Sequence, residues 1–400
     1  VVAFDPNTPC LVISPHLKYP LNNGANILID RRWAAFSEFV PFVDIIGENK
    51  VSRYQDGKLV FRKAFLNAHR PKYRAAANTI LNNSHYLLER FVTKNYLHVV
   101  NRYFGDHVYN TVVFSFIHSA SLLDHSEIMK KRVEERLFLI ETHNDEFSWF
   151  ENIYNSSINP FTKITSLVSK RWTEKFLILH ERDFIYIHLT ENDRMGYLRK
   201  IPDHSSIVIP IGVSIPDTKV QKVNTKEDSI VLIFVGALNV KMNYDALQYF
   251  RDKFYDHLIV KLKDHLKVII VGSRPLKKII NLCKNMGWSL YADVDDNELQ
   301  GLYGQATFTI LPFPYTTGAK LKLLNSLANG TPFLATTNLS DQVDGVLHPC
   351  LFSDDPREWI AHIKRFHEIS IEDRKAMVDY ANHHSWAASA QQLYTTLCQL

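Results

Sequence analysis

Between Phe308 and Thr337 the chain reads FTILPFPYTTGAKLKLLNSLANGTPFLATT. This is a short apolar run, a loop ending in Thr316, Thr317 and Gly318, and a helical segment with Lys320 and Lys322 in its first turn. An Asn-Gly stop and a second apolar run follow. A loop feeding a helix N-terminus offers an anion unpaired backbone N–H groups and the positive end of the helix dipole, and a glycine lets a phosphate come close to the backbone. Two lysines at that point suit a diphosphate. Lysines on a first turn are also often simply solvated, so the surrounding elements must support the reading.

A second candidate is His143, which follows Glu141 and Thr142 at the end of the apolar run LFLIE. In a doubly wound sheet the carboxyl ends of the strands are where ligands gather, and His143 then faces them. Glu141, Asp145 and Glu146 surround it and could form an acid/base pair or bind a cation, but their spacing fits no hard-cation loop. His118 reads as structural. Cys10, Cys283, Cys350 and Cys398 are scattered, with no CxxC spacing, which argues against a zinc site or a disulfide scaffold and fits a reducing, cytoplasmic setting.

The elements that must hold these residues are legible as short Val/Ile/Phe-rich runs alternating with segments of helical period, the pattern of parallel strands with crossover helices. Strands are expected near 10–14, 40–46, 112–117, 137–141, 184–189 and 207–209. In the second half they are expected near 229–235, 268–271, 289–292, 308–311, 332–335 and 348–352. The polar stretch 210–229 reads as a linker. The expected fold class is therefore α/β, with one doubly wound domain over 1–212 and another over 213–380. A C-terminal helix over 381–400 can pack back on the first domain. VSRYQDGKLVFRK, 51–63, reads as a β-hairpin insertion around a DG turn. The basic, aromatic segment that follows it, 69–94, is expected to be helical and offers a surface for acceptor or peripheral membrane contact.

The 46 basic and 42 acidic side chains leave a net charge of +4, too balanced to make nucleic acid the partner. With 46% hydrophobic residues the composition is that of a folded chain, and no run approaches the ~18 consecutive apolar residues of a spanning helix.

The order of these elements resembles glycosyltransferase family 4, the bacterial group 1 enzymes. The family pattern Gly-x-(Arg/Lys)-x-Lys, then Glu-Ala-hydrophobic-Ala-x-Gly-x-Pro, stands here as Gly318, Ala319, Lys320, Leu321 and Lys322, then Asn325, Ser326, Leu327, Ala328, Asn329, Gly330, Thr331 and Pro332. Upstream, IVLIFVGALNVKMNYDALQYF is similar to the strand, glycine loop and helix that open the family's second domain, with Gly236 at the turn. KVIIVGSRP and ADVDDNELQGLYGQA are similar to the next two elements. In the first half, PHLKYPLNNGANILI resembles the glycine loop of the family, centred on Gly24. LFLIETHNDEF resembles its Thr-His strand end, and IHLTENDRMGYLRKIPDHSSIVIPIGV its Ser-x-x-Asp helix and Pro-Asn-Gly-Val stretch.

The resemblance implies the GT-B fold: two facing Rossmann-like doubly wound domains with a cleft between them. It implies transfer of a sugar from a UDP- or GDP-linked donor to a glycan, lipid-linked or protein acceptor, with retention at the anomeric carbon. Lys322 and His143 would be catalytic, and Gly236, Arg274, Val294, Gly318, Ala319, Lys320, Leu321, Lys322 and Asn325 would bind the donor. Gly24 would lie on the acceptor side, and neither cofactor nor metal is expected. Asn325 stands where the family has a ribose-binding glutamate and Ala237 where it often has arginine. Those departures motivate an alternative, a nucleotide-sugar-binding scaffold without activity. A sugar-nucleotide epimerase or hydrolase on the same fold is a third reading.

Overall fold

A computed structural model of the chain describes residues 2–21, 23–131, 135–143, 145–216, 229–315, 321–343, 348–365 and 369–400. It divides into two compact units, one holding residues 1–211 with the C-terminal segment 386–400, the other lying within 212–385. The second division falls five residues later than the 380/381 boundary expected from the sequence. The helix Ile371–His383 belongs to the second unit, and the chain passes to the first only with the helix Trp386–Leu397.

In the first unit six parallel strands are β1 (Cys10–Ile13), β2 (Val43–Ile46), β5 (Thr111–Ser115), β6 (Leu137–Glu141), β7 (Ile185–His188) and β8 (Ser205–Val208). The hairpin of β3 (Lys50–Gln55) and β4 (Lys58–Ala64) adds two antiparallel strands at one edge, giving the order β4-β3-β2-β1-β5-β6-β7-β8. The runs CLVI, VDII, TVVFS and LFLIE are buried throughout, as strands covered by helices on both faces must be. The DG turn has positive φ at both Asp56 and Gly57, the backbone twist that a two-residue hairpin loop needs. Asp44 on β2 pins the hairpin: Arg53 donates to its two carboxylate oxygens at 2.8 and 2.7 Å, and the Tyr109 hydroxyl donates at 2.6 Å.

The second unit is an all-parallel six-stranded sheet of order β11-β10-β9-β12-β13-β14. Its strands are β9 (Ile230–Val235), β10 (Leu266–Gly272), β11 (Ser289–Ala292), β12 (Phe308–Leu311), β13 (Phe333–Ala335) and β14 (Leu351–Phe352). Strand order reverses beside β1 in the first sheet, at β1/β5, and beside β9 in the second, at β9/β12. Connections leave in opposite directions at such points, which opens a crevice at the carboxyl ends of the strands. Both candidate sites follow from that topology.

The 112–117 strand expectation runs too far. The strand ends at Ser115, and Ile117 and His118 lie in a one-turn helix, Ile117–Ala120. Of the expected linker, 217–228 lies outside the described residues.

Candidate active site

In the second unit, Gly236 directly follows β9 and Lys322 stands in the first turn of the helix Leu321–Ala328, which follows β12. Both therefore sit at the β9/β12 switch point. The Lys322 ammonium donates to Asn243 Oδ1. It also lies 5.2 and 4.9 Å from the ring centres of Phe234 and Phe313, whose electron-rich faces favour a cation. Asn243 is oriented in turn by its own donation to the Ala237 carbonyl at 2.7 Å. A Cβ on Gly236 would stand 2.7 Å from Lys322 Nζ and 2.9 Å from its Cε, so the glycine makes room for the lysine. Gly272, at the end of β10, is constrained more severely: its Cβ would meet the Gly236 carbonyl oxygen at 1.7 Å. Two adjacent strand ends thus pass each other at a separation only glycine allows.

The helix carrying Lys322 is tied down from its far end. Ser326 Oγ links the sheet to the following turn, donating to the Thr331 carbonyl and accepting from the Thr309 hydroxyl, each at 2.6 Å. Gly330, at φ +61, ends the helix with paired backbone bonds, Gly330 N–H to Leu327 O and Thr331 N–H to Ser326 O, and the Arg374 guanidinium caps the Gly330 carbonyl at 2.7 Å. Asn325, three residues after Lys322, shares its face of the helix. Next to this site the backbone is strained at two residues other than glycine, Arg274 (φ 50) and Asp293 (φ 54), and Asp293 Oδ1 accepts from the Arg274 N–H at 3.0 Å. Strain of this kind persists only where surrounding contacts hold it, and it concentrates at ligand sites.

In the first unit, Glu141 at the end of β6 forms a fully buried ion pair with Arg32 at 2.7 Å. Its second oxygen accepts from the Trp33 indole and the Ser115 hydroxyl, each at 3.3 Å. Arg32 also donates to the carbonyls of Ile209 and Pro210 at 3.0 and 2.8 Å, tying the segment that follows β8 to the unit's first helix. His143 Nε2 is 3.7 Å from Glu141, and its ring stacks on Phe116 at 4.0 Å between centres. Phe116 has φ +74, a costly conformation for a bulky side chain, and its N–H donates to the Glu141 carbonyl at 2.9 Å. The ring on which His143 rests is therefore held in place by strained backbone at the end of β5.

The family model for glycosyl transferases group 1 matches residues 229–368. The chain carries a group 1 glycosyltransferase domain. Over 84% of its length it is 22% identical to an uncharacterised 44.6 kDa protein in the cps region of Klebsiella pneumoniae, of which the match covers 85%. Its fold is similar to that of sucrose-phosphate synthase from Thermosynechococcus elongatus (TM-score 0.68, 14% identity, 98% of this chain and 99% of that one). It is also similar to an E. coli trehalose-6-phosphate structure bound with UDP-2-fluoro glucose (TM-score 0.61, 14% identity, 98% and 99%). The fold is GT-B.

Within the group 1 domain the structure brings together Gly236, Lys322 and, one turn on, Asn325. Gly318, Ala319 and Lys320 lie outside the described residues. Leu321 opens the helix. Val294 packs on the apolar cluster containing Val231, Ile233 and Tyr303, so its side chain supports the sheet. Arg274 is exposed and placed by the strained turn. Gly24 opens the helix Gly24–Phe36, capped by the Asn23 side chain, instead of centring a loop, and a Cβ there would meet nothing within 4 Å. Sequence reasoning passed over Asn243, Asp293, Arg32 and Phe116. Asn243 and Asp293 lie in segments quoted above without being singled out, Arg32 and Phe116 in none, and the roles of all four arise from partners elsewhere in the chain. Among the described residues no cluster of three or more His, Cys, Asp or Glu could hold a metal ion, and no helix is long and apolar enough to cross a membrane.

Burial sets the protonation of the first unit. Desolvation pushes His85 down to about 3, His143 to about 4 and His188 to about 3, and drives His118 well below the ordinary range, with neighbouring histidines adding to the shift on His118. All four are neutral at pH 7, whereas in the unfolded chain they would titrate near 6.5. The unfolded state thus binds more protons between those values, so their contribution is complete above pH 6.5 and is lost as pH falls. It amounts to about 2 kcal/mol per histidine between pH 6.5 and 5. Glu146 works the other way. Desolvation raises it to about 7, so its smaller share is lost as pH rises from about 4.5 to 7. Urea denaturation at pH 5, 6 and 7 should show stability falling steadily toward pH 5. Equal or greater stability at pH 5 would contradict the buried, neutral placement of these rings.

Proposed function

We propose that the protein transfers a sugar from a nucleotide-diphosphate donor to an acceptor hydroxyl, with retention of anomeric configuration. The observation that carries this reading is Lys322, fixed by Asn243 and two aromatic rings where the sheet of the group 1 domain reverses its strand order. When the bond from the anomeric carbon to the donor's phosphate oxygen breaks, negative charge builds on the leaving diphosphate. A cation already held in position stabilises that charge without reorganising. The new bond forms between the anomeric carbon and the acceptor oxygen, whose proton passes to the departing phosphate on the same face. Lysine and helix N–H groups supply the positive charge, so turnover is expected to survive a chelator. His143, neutral at pH 7, acts as a hydrogen-bonding partner for a sugar hydroxyl and not as a cation. Gly24, Arg274 and Asn325 remain proposed contacts to the acceptor side, the phosphates or base, and the ribose.

The test is a panel of UDP-, GDP- and ADP-sugars, with binding read by thermal shift and turnover by nucleotide release. One donor should raise Tm and release nucleotide faster when acceptor is added. No stabilisation by any donor would defeat the assignment. Binding without release, even with candidate acceptors, would favour the inactive scaffold, and release without acceptor the hydrolase.

A further inference from the structure

The first unit contains a cavity of about 600 Å³ between four helical segments of residues 72–169, separate from the strand ends that hold His143 and Glu141. That volume lies in the range of small-molecule sites. Its walls are chiefly apolar, including Trp149 and Phe150, and large apolar side chains stay exposed along it: Tyr73 is 69% exposed, Phe161 66% and Ile80 40%. Two of the hydroxyls that line it are already engaged. Thr165 donates to the Phe161 carbonyl at 2.8 Å, and Ser169 Oγ accepts from the Tyr86 N–H at 3.0 Å.

The charged lining residues are Lys72 and Arg90, with no carboxylate among them. Arg90 Nε is buried with no hydrogen-bond partner. His85, fully buried, also lines the cavity. Its Nδ1 accepts from the Leu87 N–H, which leaves the ring proton on Nε2, and that nitrogen has no partner either. Buried donors without acceptors are costly unless a ligand supplies the acceptor.

We propose that this cavity binds the apolar chain of an amphiphile whose phosphate head pairs with Arg90 and Lys72. Such a molecule supplies what the lining lacks: methylene groups to cover the exposed rings and an anionic oxygen for the unpaired donors. Its role as the acceptor rests on the transferase reading above; its binding does not.

The experiment titrates the full chain, without donor, with 12-bromododecyl phosphate below its micelle concentration and follows quenching of tryptophan fluorescence, Trp149 being the reporter. Saturable quenching is expected. Unbrominated alkyl phosphates should displace the probe and tighten roughly fourfold per added methylene between the octyl and dodecyl chains. Dodecanol should bind roughly tenfold more weakly than dodecyl phosphate, a difference that disappears in Arg90→Gln. Ala76→Phe, which fills the cavity, should abolish quenching. Trp149→Phe, a gentler change, should remove most of the quenching amplitude in a chain that melts like the parent. Absence of saturable quenching, or quenching unchanged by both substitutions, would overturn the proposal. Vesicles of anionic phospholipid provide a second arm. Capture that is lost in Ala76→Phe identifies membrane lipid as the occupant, and no capture despite tight binding of the free amphiphile identifies a soluble or extracted acceptor. Since no donor is present, a negative result leaves the sugar-transfer reading intact, and failure of donor binding leaves this one intact.

Discussion

Replacing Lys322 with alanine is expected to slow donor turnover by about 10²–10³-fold, the usual loss when one fixed group that stabilises developing charge is removed. Most of the loss should appear in kcat, since the diphosphate carries its extra charge only as the anomeric bond breaks. Folding stability should change by no more than about 1 kcal/mol, because the helix that carries Lys322 is held separately through Ser326 and Gly330. Lys322→Arg should recover little. The guanidinium is a broad planar fork, whereas the ammonium sits so close to Gly236 that even a Cβ there would approach it at 2.7 Å. For the same reason Gly236→Ala should reproduce much of the loss by displacing the lysine. Nucleotide release at saturating donor checks all three variants. A Lys322→Ala protein with kcat within threefold of the parent would mean that the diphosphate charge is met elsewhere.

Glu141→Ala is expected to destabilise the first unit by about 3–5 kcal/mol. The substitution leaves the Arg32 guanidinium buried without its counter-charge and removes an acceptor from the Trp33 indole and the Ser115 hydroxyl. Arg32→Ala should cost a similar amount and also release the carbonyls of Ile209 and Pro210. The double variant Arg32→Met/Glu141→Leu separates two explanations. Removing both charges abolishes the uncompensated one, so it should recover much of the loss if desolvated charge is the cause. If the carbonyl ties of Arg32 dominate, it should recover little. Urea denaturation followed by circular dichroism gives the three values, and additivity of the single losses would argue against coupling between Arg32 and Glu141. His143 stands against the same carboxylate, so these variants should also lower turnover at temperatures where the chain is still folded.

What could be read directly from the residues was whatever depends on neighbours in sequence. The buried runs CLVI, LFLIE and IVLIFV predict parallel strands because a strand covered on both faces has no polar side to display, and their β-branched content fits a pleated surface. The DG turn predicts its hairpin because positive φ at two successive residues is something few dipeptides adopt. The lysine two residues beyond Gly318 pointed to phosphate chemistry because helix N-termini and nearby cations act over a single turn. Gly24 shows the limit of this reasoning, since a glycine in a polar stretch reads as loop until the capping bond of Asn23 places it in a helix.

The tertiary structure decided which distant residues meet. Lys322 and Asn243 are 79 positions apart, Arg32 and Glu141 109, and Arg32 and Ile209 177. No local periodicity encodes such pairs; they arise from strand order, which puts the ends of β9 and β12 side by side and the first helix beside β6. The need for glycine likewise comes from distant packing and not from a turn: at 272 from the approach of two strand ends, and at 236 from the lysine side chain seated against it. The chain alone therefore determined the class of fold and the kind of chemistry. Packing determined where the charge sits, which rings hold it, and which buried donors have no protein partner, because those depend on burial and contact between distant parts of the chain.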